Sequence, residues 1–141
     1  MAVIDDRPSV PLDRAALRDG VSVAALGAVP FGVVAQLIGS DGASGSAGAL
    51  LVTAVVLSLV FGAGVAAWRQ TVGRPLTHAL VTALVTFAVV QAVGIVRRLV
   101  VGDPVHWSRI VSSAVVSLAA GLVGGMLGIF LTSQGMRSRG T

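Results

Sequence analysis

Residues 49–68, ALLVTAVVLSLVFGAGVAAW, run for 20 positions without a charge. Coiled as an α-helix at ~1.5 Å per residue, such a run is ~30 Å long, the thickness of a bilayer's hydrocarbon core. The chain repeats the pattern on either side. Uncharged runs fill residues 21–39, 76–96 and 110–131, giving four spans of about 21–39, 49–68, 76–96 and 110–131. Between them lie short polar connections: GSDGASGSAG after the first span, RQTVGRP after the second and RRLVVGDPVHWSR after the third. Pro75 suits the first turn of the third span, where its missing N–H is not needed. The sequence therefore predicts an all-α integral membrane bundle of four transmembrane helices, residues 21–132. A polar leader (1–20) precedes it and a basic tail (133–141) follows.

Composition agrees with that reading. The 141 residues are 55% hydrophobic and only 11% charged, with a mean hydropathy of +0.92, whereas a soluble domain carries about a quarter of its residues as charges. The chain contains no Cys, Lys, Glu or Tyr. Its pI of 11.6 thus reflects missing titratable types more than a basic surface, since the net charge is only +4. The ten arginines are scattered singly and in pairs, which argues against a nucleic-acid partner. Lack of Cys removes disulfides and thiol chemistry.

Orientation follows from the arginines. With four spans, Arg7, Arg14, Arg18, Arg69, Arg74, Arg137 and Arg139 share one side, and Arg97, Arg98 and Arg109 the other. Seven against three places both termini in the cytoplasm of a cell-membrane protein by the positive-inside rule. The acidic leader of 20 residues also predicts an uncleaved first helix rather than a signal peptide. A short surface turn is expected around Ala15 to Arg18. Pro30 frees the carbonyl of Leu26 and predicts a kink in the first span.

Small residues recur every fourth position, on one helical face. The second span carries Ala54, Ser58, Gly62 and Ala66; the fourth carries Ser113, Ser117, Gly121 and Gly125. In lipid such seams let helix backbones approach closely. A second stripe on the fourth span, Ala120, Gly124 and Gly128, lies about 100° round the helix. One stripe is expected to face the bundle and the other a neighbouring subunit or another membrane protein. A shift of 55 residues superposes Gln36 on Gln91, and a shift of 59 superposes Ser58 on Ser117 and Gly62 on Gly121. These matches raise a tandem two-helix repeat.

Chemistry is sparse. No span holds Asp, Glu, Lys or Arg at mid-membrane depth, the usual requirement of coupled transport. His78 and His106 belong to opposite membrane faces and cannot share a haem or a metal, so no cofactor is expected. Paired carboxylates and an activated nucleophile are missing too, and no enzymatic activity is expected. Two polar groups remain. Arg97, Arg98, Arg109 and His106 form a candidate contact for an anion or lipid headgroup at the outer face, in rivalry with plain interfacial anchoring by Arg and Trp107. Gln36 and Gln91, near the outer ends of the first and third spans, belong to that same outer cluster and, with Thr82 and Thr86, form a candidate polar lining, in which His78, Thr82 and Thr86 are spaced by four. Threonine hydroxyls in membrane helices commonly bond preceding carbonyls of their own helix, which is the expectation here. Two functions fit this inventory: a non-enzymatic scaffold or accessory subunit, or an oligomeric channel or carrier for an uncharged or anionic solute. A topology reporter inserted at Gly42 should read outside the cytoplasm; a cytoplasmic signal there would overturn the orientation.

Overall fold

A computed structural model describes residues 12–42 and 45–136. It contains four helices: α1 (Arg14–Gly42), α2 (Ser46–Arg69), α3 (Pro75–Val101) and α4 (Trp107–Ser133). Each is long and apolar enough to cross a membrane, and no strand occurs among the described residues. The described residues form a four-helix membrane bundle. Its helices are longer than the uncharged runs, because backbone hydrogen bonding continues past the hydrocarbon boundary. Residues 14–20, expected as leader with a surface turn, are the first two turns of α1. Helix α3 continues through Arg97 and Arg98 to Val101. Pro30 sits inside α1 without ending it.

Adjacent helices run in opposite directions, so the start of α1, the α2–α3 turn and the end of α4 share one face of the bundle, the termini face. Helices α2 and α3 form the central diagonal and each touches all three others, whereas α1 and α4 occupy opposite corners and do not meet. Helices α1 and α3 are parallel: Asp13 meets His78 at one end, and Gly32 faces Val90 and Gly94 faces Gln36 towards the other.

Size decides which residues lie inside. Ala24, Ala28, Ala63, Ala66, Ala79 and Ala83 are fully buried, while Leu26, Leu50, Phe61, Val100, Val111 and Met126 are exposed. Lipid solvates large apolar side chains as well as a protein core does, so burial selects for close backbone approach. Gly62 of α2 lies against Ala24 and the carbonyl of Gly20 on α1, where a Cβ would stand 2.6 Å from that oxygen. On α4, Gly121 and Gly125 meet Ala83 and Ala79 of α3. The second α4 stripe meets α2: Gly124 lies on Val60 and Ala63, and Gly128 on Ala67. Both stripes are therefore consumed within one chain. This differs from the expectation that one would serve a neighbouring subunit, because α4 sits in the notch between α2 and α3 and must present a smooth surface to each.

A Cβ at position 128 would come within 2.7 Å of the Gly64 carbonyl and 2.6 Å of the Ala67 Cβ. Overpacking of this kind costs about 1–3 kcal/mol. Gly128→Ala should lower the thermal midpoint in micelles, whereas Ala119→Leu, on an exposed position of the same helix, should leave it within the measurement error.

Candidate functional site

At the face opposite the termini, the bundle opens into a cleft of about 370 Å³. Helix α1 contributes Gln36, α2 Val52, and α3 Gln91, Gly94, Ile95 and Arg98. The α3–α4 connection adds Val105 and His106, and α4 adds Arg109, Ile110, Ser112 and Ser113. The connection is shaped by Gly102, whose φ of +81° closes α3 in the left-handed conformation that glycine adopts without steric cost. The amides of Gly102 and Asp103, the latter at 2.9 Å, both donate to the Arg98 carbonyl. This turn brings His106 and Arg109 back over α3.

Inside the cleft, Gln91 Nε2 donates to Ser113 Oγ at 3.1 Å. Ser113 in turn lies 2.7 Å from the Arg109 carbonyl. Gly94 leaves room for Gln36, since a Cβ there would lie 2.6 Å from Gln36 Oε1. Arg98 makes a long 3.5 Å contact from Nη1 to the Pro104 carbonyl, beyond the usual hydrogen-bond range. Among the described residues, no carboxylate reaches ion-pairing distance of Arg97, Arg98 or Arg109. The first turn of α4 carries no acidic residue and no side-chain cap, so the positive end of its dipole is offset by neither.

The structure thus brings together Arg98, Arg109, His106, Gln36 and Gln91 of the outer polar cluster. Arg97 does not line the cleft. It precedes Arg98 by a helical step of about 100° and so occupies another face of α3. Ser112, Ser113 and Gly94 enter as cleft residues without a sequence reading as such. Ser113, the first residue of its small-residue stripe, borders the cleft at the start of that stripe.

Thr82 and Thr86 lie elsewhere, fully buried within the bundle. The parallel register of α1 and α3 places them between the Asp13–His78 contact and the Gly32–Val90 contact. Neither hydroxyl has a hydrogen-bond partner. This departs from the expected bond to a preceding carbonyl, which Ser58, Ser117 and Thr132 do make, at 2.7, 2.8 and 2.9 Å.

A third polar assembly holds the termini face. Asp13 caps α1, its Oδ1 accepting from the Ala15 and Ala16 amides at 3.1 and 3.2 Å. Its Oδ2 accepts from the amide and hydroxyl of Thr71 at 3.2 and 3.1 Å. The Asp13 amide donates to His78 Nε2 at 2.8 Å, so the buried imidazole is the neutral tautomer with its proton on Nδ1, which donates to the Arg74 carbonyl at 2.8 Å. An Arg69–Asp19 ion pair of 2.8 Å and a bond from Trp68 Nε1 to the Met136 carbonyl complete the closure. His78 is thereby a docking post for α1. Asp13 went unread, although an Asp immediately before a helical run is a capping signal.

Among the described residues, no cluster of His, Cys, Asp or Glu is arranged to hold a metal ion. The Asp13 carboxyl is held below its ordinary value of 3.8, chiefly by the Ala16 amide, with Thr71 adding to the effect and partial burial opposing it. A lowered folded-state value means that the carboxylate's contribution to stability is complete above 3.8 and disappears as the pH falls through the folded value. Asp13→Asn should therefore be less stable than the parent at neutral pH, with the gap closing on acidification. Thermal unfolding in micelles across acid pH checks this, and a gap independent of pH would contradict it.

No protein-family model, curated protein or solved structure matches this chain.

Proposed function

We propose that this protein is a non-enzymatic multi-pass protein of the cell membrane, acting as a scaffold or accessory subunit with both termini in the cytoplasm. The observation that supports this reading is the closure of the bundle. Ala63 and Ala67 of α2 pack with Ala79 of α3 as a fully buried cluster, and the mid-bundle threonines Thr82 and Thr86 have no exposed surface. An interior sealed by backbone-to-backbone approach suits a rigid body that holds a partner membrane protein in place. The large apolar residues it turns outward, such as Phe61, Leu57 and Leu50 on α2, meet lipid or a partner's helices equally well.

One observation favours the second reading, a carrier or channel for an uncharged or anionic solute. The unpartnered hydroxyls of Thr82 and Thr86 lie on the same helix as Gln91 and Arg98 of the cleft, as a solute pathway would require. Flux separates the two. Under the accessory reading, purified protein in liposomes moves neither small anions nor neutral solutes above the empty-vesicle rate. It also leaves the membrane in mild detergent with one partner at fixed stoichiometry. Burying an unpaired hydroxyl costs about 1–3 kcal/mol, so Thr82→Val and Thr86→Val should each raise the thermal midpoint. A conductance abolished by Gln91→Leu or by these valines would overturn the accessory reading.

A further inference from the structure

We infer that the cleft opposite the termini is a binding site for a phosphoryl-bearing anion, held between the guanidinium groups of Arg98 and Arg109. This assignment is independent of whether the bundle serves as scaffold or carrier. Three features carry it. The first is convergence: Arg98 comes from the last turns of α3 and Arg109 from the first turn of α4, and the turn at Gly102 folds both onto one cavity. Among the described residues neither has a carboxylate partner, so their charge is available to a ligand.

The second is the number of donors. An arginine fork sets two parallel N–H donors against two oxygens, and a tetrahedral phosphoryl group presents its oxygens in more than one plane, which suits two guanidinium groups arriving from different helices. The first turn of α4, which carries no acidic residue, borders the cleft through Arg109 and Ile110, so the positive end of its dipole favours an anion there. Gln36, Gln91 and Ser112 add neutral groups suited to ester or hydroxyl oxygens.

The third is size and wall chemistry. About 370 Å³ lies within the ~300–1,000 Å³ of small-molecule sites and far exceeds a bare oxyanion. Val52, Ile95, Val105 and Ile110 supply an apolar wall, with Val52 itself exposed on the flank of α2. A polar floor beside an apolar wall at the end of the spans matches a lipid phosphate with the start of its glycerol and chains. A free phosphate shares the recognition chemistry.

Arg97 provides the control. It carries the same charge one residue away and lies outside the cleft. Full-length protein in neutral micelles is titrated with short-chain phosphatidylglycerol, with a diacylglycerol of the same chain length, which lacks the phosphate, and with inorganic phosphate, followed by calorimetry. Saturable binding of phosphatidylglycerol is expected, weakened about tenfold or more by Arg98→Gln or Arg109→Gln, the loss of about one charge-assisted contact. Arg97→Gln should change it less than twofold. Competition by inorganic phosphate would identify the free anion as a ligand; its failure to compete would assign the site to the lipid headgroup, and both support a phosphoryl site. Equal losses from all three variants, equal binding of both lipids without any phosphate binding, or no saturable binding would overturn the proposal. Arg109 is exposed at the start of α4, so its variant keeps the test intact should Arg98→Gln fail to fold.

Discussion

Everything in this bundle depends on how closely two helix backbones can approach in a solvent that does not push them together. In water a large apolar side chain gains free energy by leaving the solvent; in a bilayer it gains almost none. What remains is dispersion between atoms in contact, with weak Cα–H···O bonds where glycines allow a carbonyl to come near. Gly62 against the Gly20 carbonyl, Gly124 against Val60 and Gly128 against the Gly64 carbonyl are sites of that kind. They explain why α2 and α3, with small residues on several faces, become the centre. They also explain why α1 and α4, each fitted to both central helices, have no need to meet.

Polar groups are distributed as this arrangement requires. The termini face is tied by neutral and charged hydrogen bonds among Asp13, Thr71, His78, Asp19 and Arg69, which fix where α1 enters. At the opposite face longer side chains lie between the helices, Gln36 across Gly94 and Gln91 against Ser113. The cleft is bordered by those same four residues. Termini face and cleft therefore differ in kind: one consumes its polar groups internally, the other leaves guanidinium groups free for a ligand.

The spans were legible in the sequence because charge is excluded from hydrocarbon, and no competing force blurs that signal. Their ends were less so. Helix α1 starts at Arg14 because Asp13 caps it, an interaction made partly with Thr71 and His78, which lie far along the chain. The spacing of small residues located the close-approach faces but not their partners; the two stripes of α4 became distinguishable only once α2 and α3 flanked it. The cleft was half legible. The cluster of arginines near the α3–α4 connection announced an anion, yet which of Arg97 and Arg98 faces inward depends on helical phase relative to neighbours. Thr82 and Thr86 gave no clue that their hydroxyls would go unbonded, since the same residue type at Thr132 bonds its preceding turn.

Among the described residues the largest fully buried side chains are His78, Thr82 and Thr86, and the other buried positions are alanine and glycine apart from Leu59 and Ser117. A soluble core is damaged chiefly by trimming, which opens a void where a leucine or phenylalanine stood. Here there is almost nothing to trim. Within the packed seams injury comes by accretion, a methyl gained at a glycine or a branch gained at an alanine. The outer shell of leucine, valine and phenylalanine can drift in size without disturbing the helices beneath it. Tolerance to mutation is turned inside out, with bulk constrained at the centre and free at the surface.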